Sequence, residues 1–97
     1  MITSHKNLTV WQEAMKPVAA VYEITKHFPD EEKFGLISQM RRSAVSIPSN
    51  IAEGAARQTT KDSLDFYIIA RASLSELDTQ LELCNLLKYL STEVSSR

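Results

Sequence analysis

The apolar residues of the segment from Leu36 to Arg57 recur at alternating steps of three and four, the spacing of one side of an α-helix. This stripe consists of Ile37, Met40, Ala44, Ile47, Ile51 and Gly54. Pro48 lies within the same segment, and its ring removes one backbone donor and crowds the carbonyl of Ala44. The sequence therefore predicts a long helix over about residues 31–57 that is kinked at Pro48.

A second stripe of the same segment is wholly polar and consists of Gln39, Arg42, Ser46, Ser49, Asn50, Glu53 and Arg57. A polar helix face usually does no more than meet water, and that interpretation stays open here. Serine, asparagine and glycine are poor helix formers, however, and small residues let another backbone approach closely. We therefore expect a central packing element that also contacts another chain. The residues expected to serve packing or oligomer contacts are Arg42, Ser46, Pro48, Asn50, Glu53 and Gly54.

The segment before Pro29 predicts a first helix over about residues 8–28. Its apolar face consists of Trp11, Ala14, Met15, Val18, Val21, Tyr22 and Thr25. Thr9 and Gln12 have the spacing of a capping box. Pro17 permits either a helix that kinks there, which we favour, or a helix that begins near it. Asp30 follows Pro29 and is expected to cap the second helix.

The segment after Arg57 predicts the longest helix, over about residues 61–90, with Thr59 or Thr60 as its cap. Its main stripe consists of Tyr67, Ala70, Leu74, Leu77, Leu81 and Cys84. This stripe is broadened by Phe66, Ile69, Ser73, Gln80 and Leu87. Ser91 or Thr92 then opens another capping pattern.

Length and composition indicate one domain over residues 1–97, because a chain of 97 residues with 43% hydrophobic residues can form a single ordinary core. No leader or membrane segment is apparent, so we expect a cytoplasmic protein. Cys84 is the one cysteine, which excludes an intrachain disulfide and favours a small core residue.

Enzymatic motifs are missing from the sequence. His5 and His27 do not stand at metal-ligand spacing from other ligands, and there is no glycine-rich phosphate loop or nucleophile elbow. Glu53 near Asn50 and Ser46 is more typical of a structural ion-pair network than of a general base. We therefore predict no catalytic residue, no cofactor and no metal, and a protein that is not an enzyme.

The run from Gln39 to Gly54, QMRRSAVSIPSNIAEG, resembles the hallmark of the four-helix-bundle family named after 23S rRNA intervening sequences. The opening Leu8-Thr9-Val10-Trp11-Gln12 and the stretch Ser73-Leu74-Ser75-Glu76-Leu77 agree with it, so the resemblance covers about residues 8–90. It implies an all-α, antiparallel up-down bundle and, for the best understood members, a ring-like homopentamer. One branch of the family assists the reverse transcriptase of diversity-generating retroelements.

The sequence departs from the family pattern in three places. Ala72 and Lys88 stand where glycine is usual, which leaves undecided both a close backbone approach near Ala72 and a turn near Lys88. Only the first turn of the family's fourth helix fits before residue 97, so the bundle is expected to consist of three long helices with the fourth largely absent. Three amphipathic helices without the fourth would expose an apolar groove, and we expect a second copy of the chain to bury it.

The distribution of charge gives a second hypothesis. The net charge is -1, but residues 33–71 carry six cations against three anions, whereas residues 1–32 and 72–97 are each at -2. In a ring this middle segment would form a basic band able to contact RNA or DNA. Its candidate residues are Arg41, Arg42, Arg57, Lys61 and Arg71. The alternative is that these cations pair with neighbouring carboxylates. We thus expect a homo-oligomeric scaffold or accessory protein, with a nucleic-acid-binding ring acting with a reverse transcriptase or ribosomal RNA as the alternative.

Overall fold

Three helices make up the fold of the computed structural model, which describes residues 4–90. Helix α1 spans Thr9–Thr25, α2 spans Leu36–Ala55 and α3 spans Thr60–Leu86, with short 3-10 turns at His5–Asn7 and Asp30–Glu32. The part of the chain that is described contains no strand. The predicted all-α fold class with three long helices is therefore confirmed.

Helix α2 is the central element, because α1 and α3 both pack against it and make few direct contacts with each other. Short connections make successive helices antiparallel, as expected for an up-down bundle. The molecule is elongated, with principal extents of 47 × 21 × 20 Å. Within residues 4–90, no helix is both long and apolar enough to cross a bilayer.

The predicted apolar stripe of α2 forms the core. Met40 and Ala44 are fully buried, Ile47 and Ile51 nearly so, and Ile37 is only partly buried. The remaining core residues are Ala14, Val21, Phe28, Leu36, Ala70, Leu77 and Cys84. Both α1 and α2 continue through their internal prolines, so the alternative in which α1 begins near Pro17 is wrong.

The buried stripe of α3 differs from the predicted one. Ser73 and Gln80 are buried with Leu77, whereas Tyr67 and Leu74, which we expected in the core, are 37% and 51% exposed. The segment is helical, as its periodicity predicts, but the buried face is rotated toward the small and polar residues. This rotation occurs because α3 approaches α2 closely, and small side chains permit that approach. Tyr67 and Leu74 are therefore among the large apolar residues of α3 that lie on the surface.

The observed helix boundaries differ from the approximate predicted ones by a few residues. Helix α1 ends at Thr25 rather than near 28, and α2 spans Leu36–Ala55 rather than about 31–57. Helix α3 spans Thr60–Leu86 rather than about 61–90. Helix ends predicted from a sequence commonly differ from the observed ends by a few residues, because the capping contacts decide where a helix begins and ends.

The caps explain these differences. Asp30 opens a 3-10 turn instead of capping α2, and the Leu36 amide donates to Glu32 Oε1 at 3.2 Å. The predicted capping box of α1 does not form, because Leu8 is the cap residue and Gln12 Nε2 donates to the Lys6 carbonyl at 2.9 Å. At α3 the expected threonine cap is present, since Thr59 Oγ1 accepts from the Asp62 amide at 3.1 Å.

Helix α3 ends in a tight turn at Lys88. Lys88 has a φ of 62°, and the Tyr89 amide donates to the Cys84 carbonyl at 2.9 Å. This is the hydrogen-bond pattern of a Schellman motif, with lysine at the position that usually holds glycine. The capping pattern predicted at Ser91 or Thr92 lies outside the described residues.

The turn after α3 is tied to the junction between α1 and α2. The Tyr89 hydroxyl donates to Glu32 Oε2 at 2.7 Å, and its ring lies 5.2 Å from the ring of Phe28. Glu32 therefore links two distant chain segments, since its other carboxylate oxygen caps α2. This contact fixes the end of α3 at one end of the molecule.

Candidate functional site

An apolar groove runs between α1 and α3 over the surface of α2, with a volume of about 640 Å³. It exists because α1 and α3 both pack on α2 without closing on each other. Its lining residues are Leu8, Val10, Glu13, Ala14, Pro17, Ile47, Ile51, Tyr67, Ala70, Arg71 and Leu74. Only Glu13 on α1 and Arg71 on α3 are charged, and they stand on opposite walls. A contiguous apolar surface of this kind is typical of an interaction site.

Some of the side chains that line the groove were predicted from the sequence to lie in the core. Tyr67 and Leu74 belong to the predicted stripe of α3, but they face this open space. Val10 and Pro17 were not predicted as site residues. The signal for them was their helical spacing on α1, since Val10, Ala14 and Pro17 recur at steps of four and three.

The polar stripe of α2 is partly used within the chain. The Ser46 and Ser73 hydroxyls lie 2.8 Å apart, and Asn50 Nδ2 donates to the Ser46 carbonyl at 2.8 Å and to its hydroxyl at 2.9 Å. Ser43 donates to Glu76 Oε1 at 3.3 Å. Ser46, predicted to hold copies together, therefore lies on the α2–α3 contact of one chain, and Asn50, predicted for the same role, is bonded to Ser46 within α2.

Gly54 is required for the same contact. A Cβ at this position would lie 2.5 Å from Tyr67 Cε1 and 3.1 Å from the Ser63 carbonyl oxygen. The Ser63 hydroxyl also donates to the Gly54 carbonyl at 2.8 Å. The start of α3 thus approaches the end of α2 too closely for any side chain at this glycine.

The other predicted packing residues are distributed over two faces. Pro48 is buried and lines a shallow hollow beside Trp11 and Val18 on α1. Arg42 is exposed, and no carboxylate lies within 4 Å of it in the part of the chain that is described. Glu53 is exposed and forms an ion pair with Arg57 one turn later. A role of Arg42 or Glu53 in oligomer contacts stays a prediction.

The five cations predicted to contact nucleic acid do not form one cluster within a single chain. Arg41 lies against α1, where its Nε donates to Thr25 Oγ1 at 2.9 Å and its guanidinium lies 4.5 Å from the Tyr22 ring centre. Arg57 and Lys61 flank the α2–α3 turn, and Lys61 lies 3.8 Å from Asp65. The Arg57 guanidinium lies 4.8 Å from the Phe66 ring centre. Arg71 lies on the groove wall, apart from the other four cations.

The side chains of the described residues offer little support for a metal site or a reactive thiol. No group of three or more His, Cys, Asp or Glu residues that could hold a metal is present among residues 4–90. Cys84 is fully buried, its Sγ donates to Met40 Sδ at 3.3 Å, and burial raises the pKa of its thiol to about 11. A thiol with a raised pKa is a weak nucleophile at neutral pH, which fits a packing residue.

The family model described as 23S rRNA-intervening sequence protein matches residues 6–97, which is nearly the whole chain. No curated protein matches it. The matched range contains all three helices and the proline-containing motif of α2 that resembles this family. The chain therefore belongs to the 23S rRNA-intervening sequence protein family.

Proposed function

We propose that the protein is a non-enzymatic, homo-oligomeric helical scaffold or accessory protein whose copies associate through the apolar groove. The observation that carries this proposal is the groove itself, whose walls leave Val10, Tyr67 and Leu74 exposed to water. Full burial of one leucine contributes about 2 kcal/mol, so covering several such side chains is a substantial driving force. The cost of association reduces this gain but leaves room for a stable complex.

The test is the mass of the protein in solution, because one chain is 10.9 kDa and small oligomers are well separated. We expect a multiple of the chain mass for the unmodified protein by light scattering, and five chains, about 55 kDa, for the pentamer that the family resemblance implies. Leu74→Gln, which places an amide in the groove, should shift the mass toward the monomer.

Leu83→Gln is the matched control, because Leu83 is also an exposed leucine of α3 but does not line the groove. It should leave the mass unchanged. A monomer at micromolar concentration for the unmodified chain would contradict the proposal, and so would an oligomer that tolerates Leu74→Gln.

A second candidate function, binding of RNA or DNA by the assembled protein, is favoured by Arg42 and Arg71. Neither has a carboxylate within 4 Å in the described range, so both guanidinium groups are available. Retention of RNA on the protein at low salt should fall steeply as salt rises. Replacing Arg42 and Arg71 together with Gln should abolish retention, and unchanged retention would exclude this candidate.

A further inference from the structure

The turn that follows α3, residues 88–90, depends on contacts with distant parts of the chain. Lys88 adopts a φ of 62°, a conformation that an L-residue rarely holds without support from its surroundings. Tyr89 supplies support, since its ring lies 5.2 Å from the ring of Phe28, and Leu90 packs against the core. We call residues 88–90 the strap, because Tyr89 joins the end of α3 to the junction between α1 and α2.

The first turn of α2 depends on the side chain of Glu32. The cap residue of this helix, Gly35, forms no side-chain hydrogen bond, and the Leu36 amide donates instead to Glu32 Oε1 at 3.2 Å. Glycine also leaves room for the carboxylate, because a Cβ at Gly35 would lie 3.0 Å from the same oxygen. The start of α2 therefore uses a carboxylate from the preceding 3-10 turn in place of a side chain at its own cap.

One carboxylate thus serves two separate parts of the chain. The Tyr89 hydroxyl donates to Oε2 of Glu32 at 2.7 Å, while Oε1 accepts from the Leu36 amide. A glutamate side chain has several rotatable bonds, and holding it in one conformation costs conformational entropy. When one of the two hydrogen bonds has ordered the side chain, the other forms at a lower entropic cost. The two contacts are therefore coupled, and the coupling acts in both directions.

We propose that the strap and the first turn of α2 open together as one unit, with Glu32 as the link between them. In the closed state the strap lies against Phe28, which is only 6% exposed. In the open state Tyr89 leaves Phe28, the Glu32 carboxylate turns to water, and the Leu36 amide loses its acceptor. Displacement of Tyr89 by a ligand or by another chain would thus loosen the start of α2. The proposal concerns a single chain and does not depend on the homo-oligomer.

Hydrogen exchange of single amides, measured by NMR, tests this coupling. Tyr89→Phe removes the hydroxyl but keeps a ring against Phe28, so its effect on α2 has to pass through Glu32. We expect the Leu36 amide to exchange about fivefold faster in this variant than in the unmodified protein. The Asp62 amide at the start of α3 accepts no help from the strap, because it donates to Thr59 Oγ1, and its exchange should be unchanged.

Tyr67→Phe is the matched control, because it removes a hydroxyl from a tyrosine that lies beside Gly54, near the other end of α2. It should leave the exchange of the Leu36 amide unchanged. A double-mutant cycle then tests the route of the coupling. In the Glu32→Ala background the link is missing, so adding Tyr89→Phe should have no further effect on the Leu36 amide.

Faster exchange at Leu36 alone, with no further effect once Glu32 is replaced, supports the proposal. Unchanged exchange at Leu36 in Tyr89→Phe overturns it, because Glu32 would then cap α2 without the strap. An effect of Tyr89→Phe that persists in Glu32→Ala overturns the role of Glu32 as the link. Equal acceleration at Leu36 and Asp62 also overturns the proposal, since the variant would then destabilise the whole fold instead of opening one unit.

Discussion

At the scale of single residues, Gly54 is the position where the smallest change should have a large effect. Alanine is a better helix former than glycine by about 1 kcal/mol, so Gly54→Ala would stabilise an isolated helix. Here the added Cβ would lie 2.5 Å from the Tyr67 ring and 3.1 Å from the Ser63 carbonyl oxygen. We expect the overlap to reverse the sign and lower the free energy of unfolding by about 1–2 kcal/mol, measured by urea denaturation.

A double-mutant cycle identifies the cause. In the Tyr67→Ala background the ring is missing, so Gly54→Ala should be much less costly than in the unmodified protein. An equal cost in both backgrounds would show that the ring is not the obstacle. The cycle needs only relative values, which are more reliable than absolute stabilities.

Gln80 offers a second test at this scale. Its side chain is buried, and its Oε1 has no hydrogen-bond partner among the described residues. An unpartnered buried oxygen costs about 1–3 kcal/mol, so Gln80→Met should raise the free energy of unfolding by about 1 kcal/mol. Gln39→Met, at an exposed site of α2, is the control and should be neutral. Loss of stability in Gln80→Met would mean that the oxygen holds a bound water.

Single residues also show where sequence reasoning was sufficient. Met40, Ala44, Ile47 and Ile51 were identified as core by their spacing alone, because α2 is covered on two sides and its apolar stripe decides its orientation. On α3 the spacing of apolar residues is compatible with more than one buried face. The close approach permitted by Gly54 selects a rotation in which Leu74 is exposed, and that contact is invisible to periodicity.

At the scale of elements, the start of α2 shows why helix ends were predicted less well than helix interiors. Asp30 has the local features of a cap, but the cap residue of α2 is Gly35, and the carboxylate of Glu32 accepts a hydrogen bond from the first amide of the helix, that of Leu36. That carboxylate is held by the Tyr89 hydroxyl, 57 positions further along the chain. Local sequence carries no information about such a contact. Thr59, by contrast, caps α3 by accepting from an amide only three positions away, and it was among the predicted caps.

The turn after α3 allows a stabilising substitution. Lys88 adopts a φ of 62°, a conformation that costs an L-residue about 1 kcal/mol and costs glycine almost nothing. Lys88→Gly should therefore raise the midpoint of urea denaturation, corresponding to a gain of about 0.5–1 kcal/mol. Glu82→Gly, within the same helix, should lower stability by a similar amount. If both variants lost stability, the turn would not have the conformation described here.

The link between the turn and Glu32 gives the molecule a defined alkaline response. The hydrogen bond to Glu32 raises the pKa of Tyr89 from 10.0 to about 12. Because the folded protein holds the phenol proton more tightly, this stabilisation is fully present below pH 10 and is lost as the pH rises through 12. The stability advantage of the unmodified protein over Tyr89→Phe should therefore shrink between pH 10 and pH 12. An advantage that is constant with pH would show that the hydroxyl does not pair with Glu32.

At the scale of the whole molecule, the central helix α2 is covered by both outer helices, whereas α1 and α3 do not close on each other. The sequence predicted the helices, their order and the exposed groove, because amphipathic patterns report how much apolar surface each helix must bury. The arrangement of side chains on the groove surface determines which copy or segment covers it. It depends on the placement of Glu13, Arg71 and Leu74 relative to one another, which only the packed structure provides.

Thermal unfolding connects the groove to the stability of the whole chain. If copies associate through the groove, unfolding is coupled to dissociation, and the melting temperature must rise with protein concentration. For a dimer, each tenfold increase in concentration adds about 1.4 kcal/mol per mole of dimer, which corresponds to a few degrees for a chain of this size. Calorimetry over a hundredfold range of concentration should therefore resolve the shift.

The same measurement on variants separates the groove from the rest of the surface. Leu74→Gln should lower the melting temperature and remove most of its dependence on concentration, because the variant protein unfolds as a monomer. Leu83→Gln should keep the dependence, since Leu83 is exposed on α3 but lies away from the groove. A melting temperature that is independent of concentration in the unmodified protein would mean that the groove stays uncovered in the stable fold. The three helices would then be held by the α2 contacts alone, and the exposed Leu74 would be a surface residue without a stabilising partner.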